Sequence, residues 1–172
     1  MHRADSIARG TGNQELRAYV LLKMGDVNRL GSNNHQALAY EKEAEAIALK
    51  TGNKKLLFEC QSAISTIYGS SLNDFPKAIE YGLKAVASAE EANCQSCLVT
   101  GWTNLARDYT FASDQSNGLI YYLKALEANK QIGDRNQEVR LNNYIGERYR
   151  LMGKYTEAIR SYNKVLAGAK SP

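Results

Sequence analysis

The sequence is almost without proline, which occurs only as Pro76 and Pro172 among 172 residues. Because proline breaks helices, its scarcity in a chain rich in alanine, leucine, glutamate, lysine and glutamine favours an all-helical protein. No apolar run approaches the ~20 residues that a membrane-spanning helix needs, and the start, Met-His-Arg-Ala-Asp, lacks the apolar stretch of a signal peptide. We therefore expect a cytoplasmic protein that does not contact a membrane through this segment.

A surplus of one charge is missing too. Lys and Arg number 22 and Asp and Glu number 18, which leaves a formal net charge of +4. The two signs are interleaved, and no run of Lys and Arg exceeds two residues. Since a nucleic-acid-binding surface requires a basic patch or stripe, we expect no nucleic-acid partner for this segment.

Cysteine and histidine are scarce, which limits metal and redox chemistry. The cysteines are Cys60, Cys94 and Cys97, and an odd number argues against a disulfide framework. Cys94 and Cys97 form a C-x-x-C, but a zinc site needs four ligands, and neither a second C-x-x-C nor a pair of histidines accompanies it. We predict that both are small residues near the start of a helix, with a metal or redox role as the alternative. No metal and no cofactor are expected.

What the sequence contains instead is a repeat. "ADSIARGTGN" at residues 4–13 returns as "AEAIALKTGN" at residues 44–53, with six of ten positions identical, and weaker copies begin at residues 85 and 125. This period of 40 or 41 residues predicts a helical-repeat solenoid. Each period holds two stretches with helical spacing of apolar residues and a short break between them, which predicts an antiparallel helix pair.

Glycines of the "TGN" and "IGD" tripeptides mark the end of each pair. We predict that Gly12, Gly52 and Gly133 adopt the left-handed conformation that terminates a helix, and that the Asn or Asp after them caps the next helix. Because these glycines are single and no G-x-x-x-x-G-K occurs, a phosphate-binding loop is excluded.

The third and fourth periods carry the residues that indicate a family. In the third, aromatic and small residues occupy fixed positions, at Trp102, Leu105, Ala106, Tyr109, Gly118, Tyr122 and Ala125. In the fourth they are Ile145, Gly146, Tyr149, Ala158 and Tyr162. The pattern resembles the tetratricopeptide repeat (TPR) in its long-helix version, as in bacterial regulatory proteins and kinesin light chains. The second period has one extra residue in its turn, and the first has Asn28 and Glu41 where aromatics are usual.

The resemblance implies an all-α fold, a right-handed superhelical solenoid of antiparallel helix pairs. It makes residues 1–172 a single array, with the tail of a preceding helix (1–13) and four repeats (14–52, 53–92, 93–133 and 134–170). Because no first helix precedes residues 4–13, we expect a segment cut from a longer array rather than one capped by a degenerate helix. The small and aromatic residues of the pattern are expected to form the core.

The resemblance also implies where a partner binds, since the first helices of TPR pairs line a concave groove. Its inward positions in the C-terminal half correspond to Thr100, Thr103, Asn104, Arg107, Arg140, Asn143, Glu147 and Arg150. In the first two repeats they correspond to Tyr19, Leu22, Asp26, Arg29, Glu59, Ser62, Thr66 and Gly69. Arg binds carboxylates through a planar fork and Asn can hold a peptide backbone, so we predict an acidic protein or peptide partner. The residues expected to hold it are Asn104, Arg107, Arg140 and Asn143; the alternative is that they are solvated, paired with Glu147 or Asp108.

The predicted function is that of a non-catalytic protein- or peptide-binding TPR module, the interaction or sensor part of a larger bacterial signalling or transcriptional regulator. Enzyme activity is not expected, because no His lies near a Ser or Cys in the repeat frame and no paired carboxylates share a groove position. The alternative is an assembly segment that packs against its own output domain or forms a homodimer. Tyr81, Tyr121 and Tyr122 motivate it, since they cannot all face inward and exposed aromatics mark interfaces.

Overall fold

The computed structural model describes residues 12–169, and this part of the chain is built from eight α-helices with no β-strand. The helices are α1 (Gln14–Leu30), α2 (Asn34–Thr51), α3 (Lys54–Thr66), α4 (Phe75–Glu91), α5 (Gln95–Phe111), α6 (Gln115–Ile132), α7 (Arg135–Leu151) and α8 (Tyr155–Ala169). The predicted all-α fold is confirmed. Residues 1–11 of the predicted preceding helix lie outside the described residues. None of the described helices is both long and apolar enough to cross a membrane.

The helices pack as consecutive pairs within two compact units, with a boundary between Asn93 and Cys94. In the N-terminal unit (described residues 12–93), α1 packs against α2 and α3 against α4, and α2 also packs against α3. In the C-terminal unit (described residues 94–169), α5 packs against α6 and α7 against α8, and α6 also packs against α7. Because the connection within each pair is short, the paired helices run antiparallel.

Helix ends follow the predicted glycine and cap chemistry. The glycines expected to end helix pairs, Gly12, Gly52 and Gly133, all have positive φ angles, of 68°, 72° and 74°. After Gly133, the Oδ1 atom of Asp134 accepts a hydrogen bond from the N–H of Gln137 at 2.9 Å. Asn13 and Asn53 cap α1 and α3 in the same way. At these three starts, of α1, α3 and α7, a short polar side chain therefore satisfies one of the free N–H groups of the first turn.

Replacing Asp134 with alanine is expected to lower the free energy of unfolding by about 1 kcal/mol, because the N–H of Gln137 then loses its acceptor. Urea denaturation of the two proteins measures the difference. Asp134→Ser is the matched control, since a serine hydroxyl can still accept this hydrogen bond. If serine costs as much as alanine, capping is not what Asp134 contributes.

The extra residue of the second period is accommodated in a helix and not in the connecting turn, contrary to the prediction. Beyond α3 the backbone widens into a π-helical turn over Ile67–Ser71. There the N–H of Leu72 donates to the carbonyl oxygen of Ile67 at 3.1 Å. Since a π-helical turn holds one residue more than an α-helical one, the insertion is absorbed at the end of the first helix of this pair.

Small residues lie between paired helices, as predicted. They are buried on the first helices at Gly25, Ser65, Ala106 and Gly146, and on the second helices at Ala37, Ala78, Gly118 and Ala158. The close approach is clearest at Gly146, where a Cβ atom would lie 2.7 Å from Cε1 of Tyr162. Any side chain at position 146 would displace this ring from its packed position.

Cys94 and Cys97 lie at the start of a helix, as predicted, but they are joined to each other and are not merely two small residues there. A disulfide connects Cys94 and Cys97. Cys94 precedes the first residue of α5 and Cys97 lies in its first turn, so their Cα atoms are 5.2 Å apart, a separation that a disulfide can bridge. Cys60 is a free, buried cysteine in the core of the N-terminal unit.

The tyrosines that suggested an exposed interface are packed instead. Tyr122 is buried in the core of the C-terminal unit. Tyr81 is half-buried and stacks on Tyr68 at a ring-centroid distance of 5.7 Å. Tyr121 is half-buried and stacks on Tyr109 at 5.3 Å. The premise that some of these rings must be exposed is therefore wrong, because partly buried stacking accommodates the rings that are not in the core.

Candidate functional site

Predicted groove residues of the N-terminal unit come together around one pocket. Its volume is about 450 Å³. Six of the predicted positions line it, namely Leu22, Asp26, Arg29, Glu59, Ser62 and Thr66. Phe58, Ala63, Lys23 and Glu41, which sequence reasoning did not select, complete the lining. Tyr19 and Gly69 are not among its lining residues.

In the C-terminal unit a pocket of about 240 Å³ includes two of the eight predicted site residues, Thr103 and Arg107. The other lining residues are Thr110, Phe111, Tyr122, Tyr144 and Arg148. Thr100, Asn104, Arg140, Asn143, Glu147 and Arg150 do not line it. Of these, Thr100, Arg140 and Asn143 are exposed, and Asn104 is half-buried. The predicted groove residues of this unit thus divide into a pocket group and an exposed group.

Glu147 and Arg150 are already engaged with each other. Arg150 donates from Nη2 to Oε1 of Glu147 at 2.6 Å and from Nε to Oε2 at 2.9 Å. The hydroxyl of Tyr162 donates to the same Oε2 at 3.1 Å. These bonds, that of Arg150 foremost, lower the pKa of Glu147 to about 2. A ligand would have to compete with Glu147 for Arg150. The alternative interpretation paired Glu147 with Asn104, Arg107, Arg140 or Asn143, and its partner is Arg150 instead.

Arg107 and Arg148 bring unused hydrogen-bond donors to the 240 Å³ pocket. The Nε and Nη2 atoms of Arg107 and the Nε atom of Arg148 are buried and have no hydrogen-bond partner within residues 12–169. Arg148 uses Nη1 to donate to Oε1 of Gln115 at 3.0 Å. No acidic residue of the described chain lines the pocket. Buried guanidinium donors without acceptors are costly, which favours an anionic ligand here.

Aromatic rings form the apolar wall of this pocket. Tyr122 and Tyr144 stack at a ring-centroid distance of 5.1 Å. Burial raises the pKa of the Tyr122 hydroxyl, and the nearby charges of Arg148 and Arg107 partly offset the rise, whereas Asp108 adds to it. At neutral pH the Tyr122 hydroxyl is therefore protonated and leaves the positive charge of the pocket intact.

Arg148 is a lining residue of this pocket that sequence reasoning missed. It lies between Glu147 and Arg150, two of the groove positions that the family resemblance implies, and is not itself one of them. The four arginines of α7 (Arg135, Arg140, Arg148 and Arg150) were the available signal. Which of them enters a pocket depends on how α7 packs against α6, and that packing is not a local property of the sequence.

No group of three or more His, Cys, Asp or Glu side chains in the described part of the chain is placed to hold a metal ion. No protein-family model matches the sequence, and no curated protein matches it either. The comparisons that do succeed are with solved structures, and they concern the fold.

Three of these structures are of TPR-like proteins. Aspartyl phosphate phosphatase F from Bacillus subtilis is similar with a TM-score of 0.87 at 17% identity, over 96% of this chain and 43% of that one. A Rap protein complexed with competence and sporulation factor gives 0.80 at 17% identity, over 91% and 44%. A kinesin light chain from Podosopora anserina, with nearly identical TPR-like repeats, gives 0.75 at 16% identity, over 96% and 82%.

The fold is therefore that of the TPR-like helical-repeat proteins, as the sequence pattern predicted. This chain spans less than half the length of the phosphatase and of the Rap protein.

Proposed function

We propose that this chain is a non-catalytic protein- or peptide-binding repeat module that binds a carboxylate of an acidic partner between Arg107 and Arg148. The observation that carries the proposal is the pair of guanidinium groups whose buried donors have no acceptor within the described residues. An aspartate or glutamate side chain, or a C-terminal carboxylate, supplies the planar acceptor that such donors fit.

The threonine hydroxyls of the pocket cannot donate to an anion, so the two arginines must bind it. The hydroxyl of Thr103 donates to the carbonyl oxygen of Val99 at 2.6 Å, and that of Thr110 to Ala106 at 2.8 Å. Because a hydroxyl has a single proton, neither threonine has a donor left for an anion. The rings of Tyr122 and Tyr144 exclude water from one side, which strengthens a charge pair formed there.

The proposed role of the whole chain is based on the similarity of its fold to proteins of known structure. The Rap protein of similar structure is complexed with competence and sporulation factor, and this supports a binding role for the helical-repeat fold. We infer a cytoplasmic interaction or sensor part of a larger bacterial signalling or transcriptional regulator, with no nucleic-acid contact of its own. We also propose that residues 1–172 form one array with repeats at 14–52, 53–92, 93–133 and 134–170.

The binding proposal is tested with two five-residue peptides, acetyl-Ala-Ala-Glu-Ala-Ala-amide and the same peptide with glutamine at its centre. We expect the glutamate peptide to bind about 10-fold more tightly in isothermal titration calorimetry, because only a carboxylate satisfies both guanidinium groups. Arg107→Gln and Arg148→Gln should each remove this preference. Arg160→Gln, an exposed arginine of α8, is the control and should change nothing.

Equal binding of the two peptides to the unaltered protein, or a preference that survives both Arg107→Gln and Arg148→Gln, contradicts a carboxylate site in this pocket. Arg140→Gln separates the pocket from the wider groove that the sequence predicts. If Arg140→Gln weakens binding as much as Arg107→Gln does, the ligand extends along the exposed residues of α7.

A further inference from the structure

The 450 Å³ pocket of the N-terminal unit has a buried carboxylic acid in its wall. Glu41, on α2, is only 1% exposed. Its Oε2 atom has no hydrogen-bond partner within residues 12–169. A carboxyl group that is buried without a partner is destabilising, so a residue of this kind at a pocket needs an explanation beyond packing.

Glu41 occupies the place that an aromatic ring fills in the fourth helix pair. There the ring of Tyr162 covers Gly146, with Cε1 lying 2.7 Å from where a Cβ would stand. In the first helix pair the carboxyl of Glu41 covers Gly25 in the same manner, with Cδ 2.7 Å from the corresponding Cβ position. The two arrangements are equivalent by repeat spacing, but one presents a ring and the other an acid.

The neighbours of these two residues are equivalent as well. Glu147 and Arg150 beside Tyr162 correspond to Asp26 and Arg29 beside Glu41. In the fourth pair the Tyr162 hydroxyl donates to Glu147. In the first pair a second aromatic is also replaced, by Asn28, whose amide donates to the carbonyl oxygen of Met24 at 2.8 Å. Of the two residues that stand in place of rings, Glu41 lines the pocket and Asn28 does not.

We propose that this pocket binds a cationic nitrogen group, the guanidinium or ammonium of a basic side chain on a protein or peptide partner, with Glu41 as its buried counter-ion. The site lies in a different unit from Arg107 and takes the opposite charge, so it does not depend on the carboxylate site.

The charges around the pocket favour a cation. Asp26 is shared between Lys23 and Arg29, with N–O distances of 3.5 Å and 3.4 Å. Glu59 forms no ion pair with the described residues and is half-buried in the lining. With Glu41 ionised the lining holds three carboxylates against two cations. With Glu41 ionised, one bound cation neutralises the pocket; with Glu41 neutral, the two carboxylates and two cations of the lining already balance.

Protonation of Glu41 follows from its surroundings. Burial raises the pKa of Glu41 to about 8, and the charge of Asp26 on α1 adds to the rise. The charges of Arg29 and Lys23, also on α1, act in the opposite direction. From α3, Glu59 lines the pocket. The buried Cys60 of the same helix has its thiol pKa raised by burial and, after that, by the charge of Glu41. Without a cation beside it, Glu41 is thus neutral at pH 7. A bound cation would favour the carboxylate, so binding should release a proton.

The probes are acetyl-Ala-Ala-Arg-Ala-Ala-amide and its lysine and citrulline versions. Citrulline has the shape of arginine without the charge. We expect the arginine or the lysine peptide to bind about 10-fold more tightly than the citrulline peptide in calorimetry at pH 7, with release of a proton detected in buffers of different ionisation enthalpy. Comparison of the arginine and lysine arms identifies which cation the pocket prefers.

Glu41→Gln should remove this preference, and Glu90→Gln, an exposed glutamate of α4, should leave it unchanged. Arg107→Gln should not affect the arginine peptide, and Glu41→Gln should not affect the glutamate peptide, so the two sites fail independently. In the unaltered protein, carbon-detected NMR should show the pKa of Glu41 falling when the peptide saturates the site. Equal binding of arginine, lysine and citrulline peptides, a preference that survives Glu41→Gln, or an unchanged Glu41 pKa would overturn the proposal.

Discussion

Replacing Leu141 with alanine is expected to lower the free energy of unfolding by about 3 kcal/mol, the range found for fully buried leucines. Leu141 is 0% exposed and lies on α7 in the core cluster of the C-terminal unit, together with Tyr122, Ala125 and Ile145. Truncation removes its apolar contacts and leaves a cavity. Neighbours held by the packing of α6 against α7 close such a cavity only in part.

The matched control is Leu151→Ala, the same substitution on the same helix at a residue that is 49% exposed. Its cost should stay within about 0.5 kcal/mol, since surface substitutions rarely exceed this. Urea denaturation followed by circular dichroism at 222 nm measures both. Equal losses at the two positions would mean that Leu141 is not in a rigid core.

The features of the fold that could be predicted from the sequence are those set by local chemistry. Gly133 and Asp134 show why: a residue with positive φ followed by a side-chain acceptor ends one helix and starts the next whatever surrounds them. Small residues such as Gly146 could be predicted equally well, because helices that approach this closely tolerate no larger side chain. Both kinds of signal recur with the period of the chain, and recurrence is what distinguished them from chance.

What could not be predicted depends on packing between elements. Arg107 and Arg150 look equivalent in the sequence, yet one brings unused donors to a pocket and the other is held by Glu147. Tyr121 could have been exposed, and only its position against Tyr109 makes it a stacked ring. From the sequence, the extra residue of the second period could lie in a turn or in a helix. The hydrogen bond from the N–H of Leu72 to the carbonyl oxygen of Ile67 shows that it lies in the helix.

Glu41 lies between these two cases. The sequence shows an acid where an aromatic is usual, which is a local observation. Whether that acid is exposed or buried depends on the neighbouring helices. Gly25 of α1 packs against its carboxyl group, and Glu59 of α3 lines the same pocket. A departure from a repeat pattern therefore marks a position of interest, and the packing of neighbouring helices determines what the departure does.

The stability of the protein should fall as the pH rises from about 4.5 to about 8, and Glu41→Gln should abolish most of this fall. The pKa of Glu41 is raised from 4.5 to about 8 in the folded protein. Below pH 4.5 the carboxyl is protonated in both states. Between the two values the unfolded chain loses this proton and the folded protein keeps it, so the unfolded state binds fewer protons and stability falls with pH.

The size of this effect and its pH window identify Glu41 as the cause. The full loss amounts to up to about 5 kcal/mol by linkage. The pKa of Glu147 is lowered from 4.5 to about 2. Its contribution to stability is therefore fully present above pH 4.5 and is lost as the pH falls towards 2, outside the range in which Glu41 acts. Urea denaturation at pH 5 and pH 8.5 of the unaltered protein and of Glu41→Gln isolates Glu41, because the Cys60 thiol, whose pKa is also raised, is present in both. Glu90→Gln is the control that keeps the slope of the unaltered protein. Because glutamine cannot ionise, Glu41→Gln should be more stable than the unaltered protein at pH 8.5, and an unchanged slope in this variant would show that Glu41 is already ionised in the folded state.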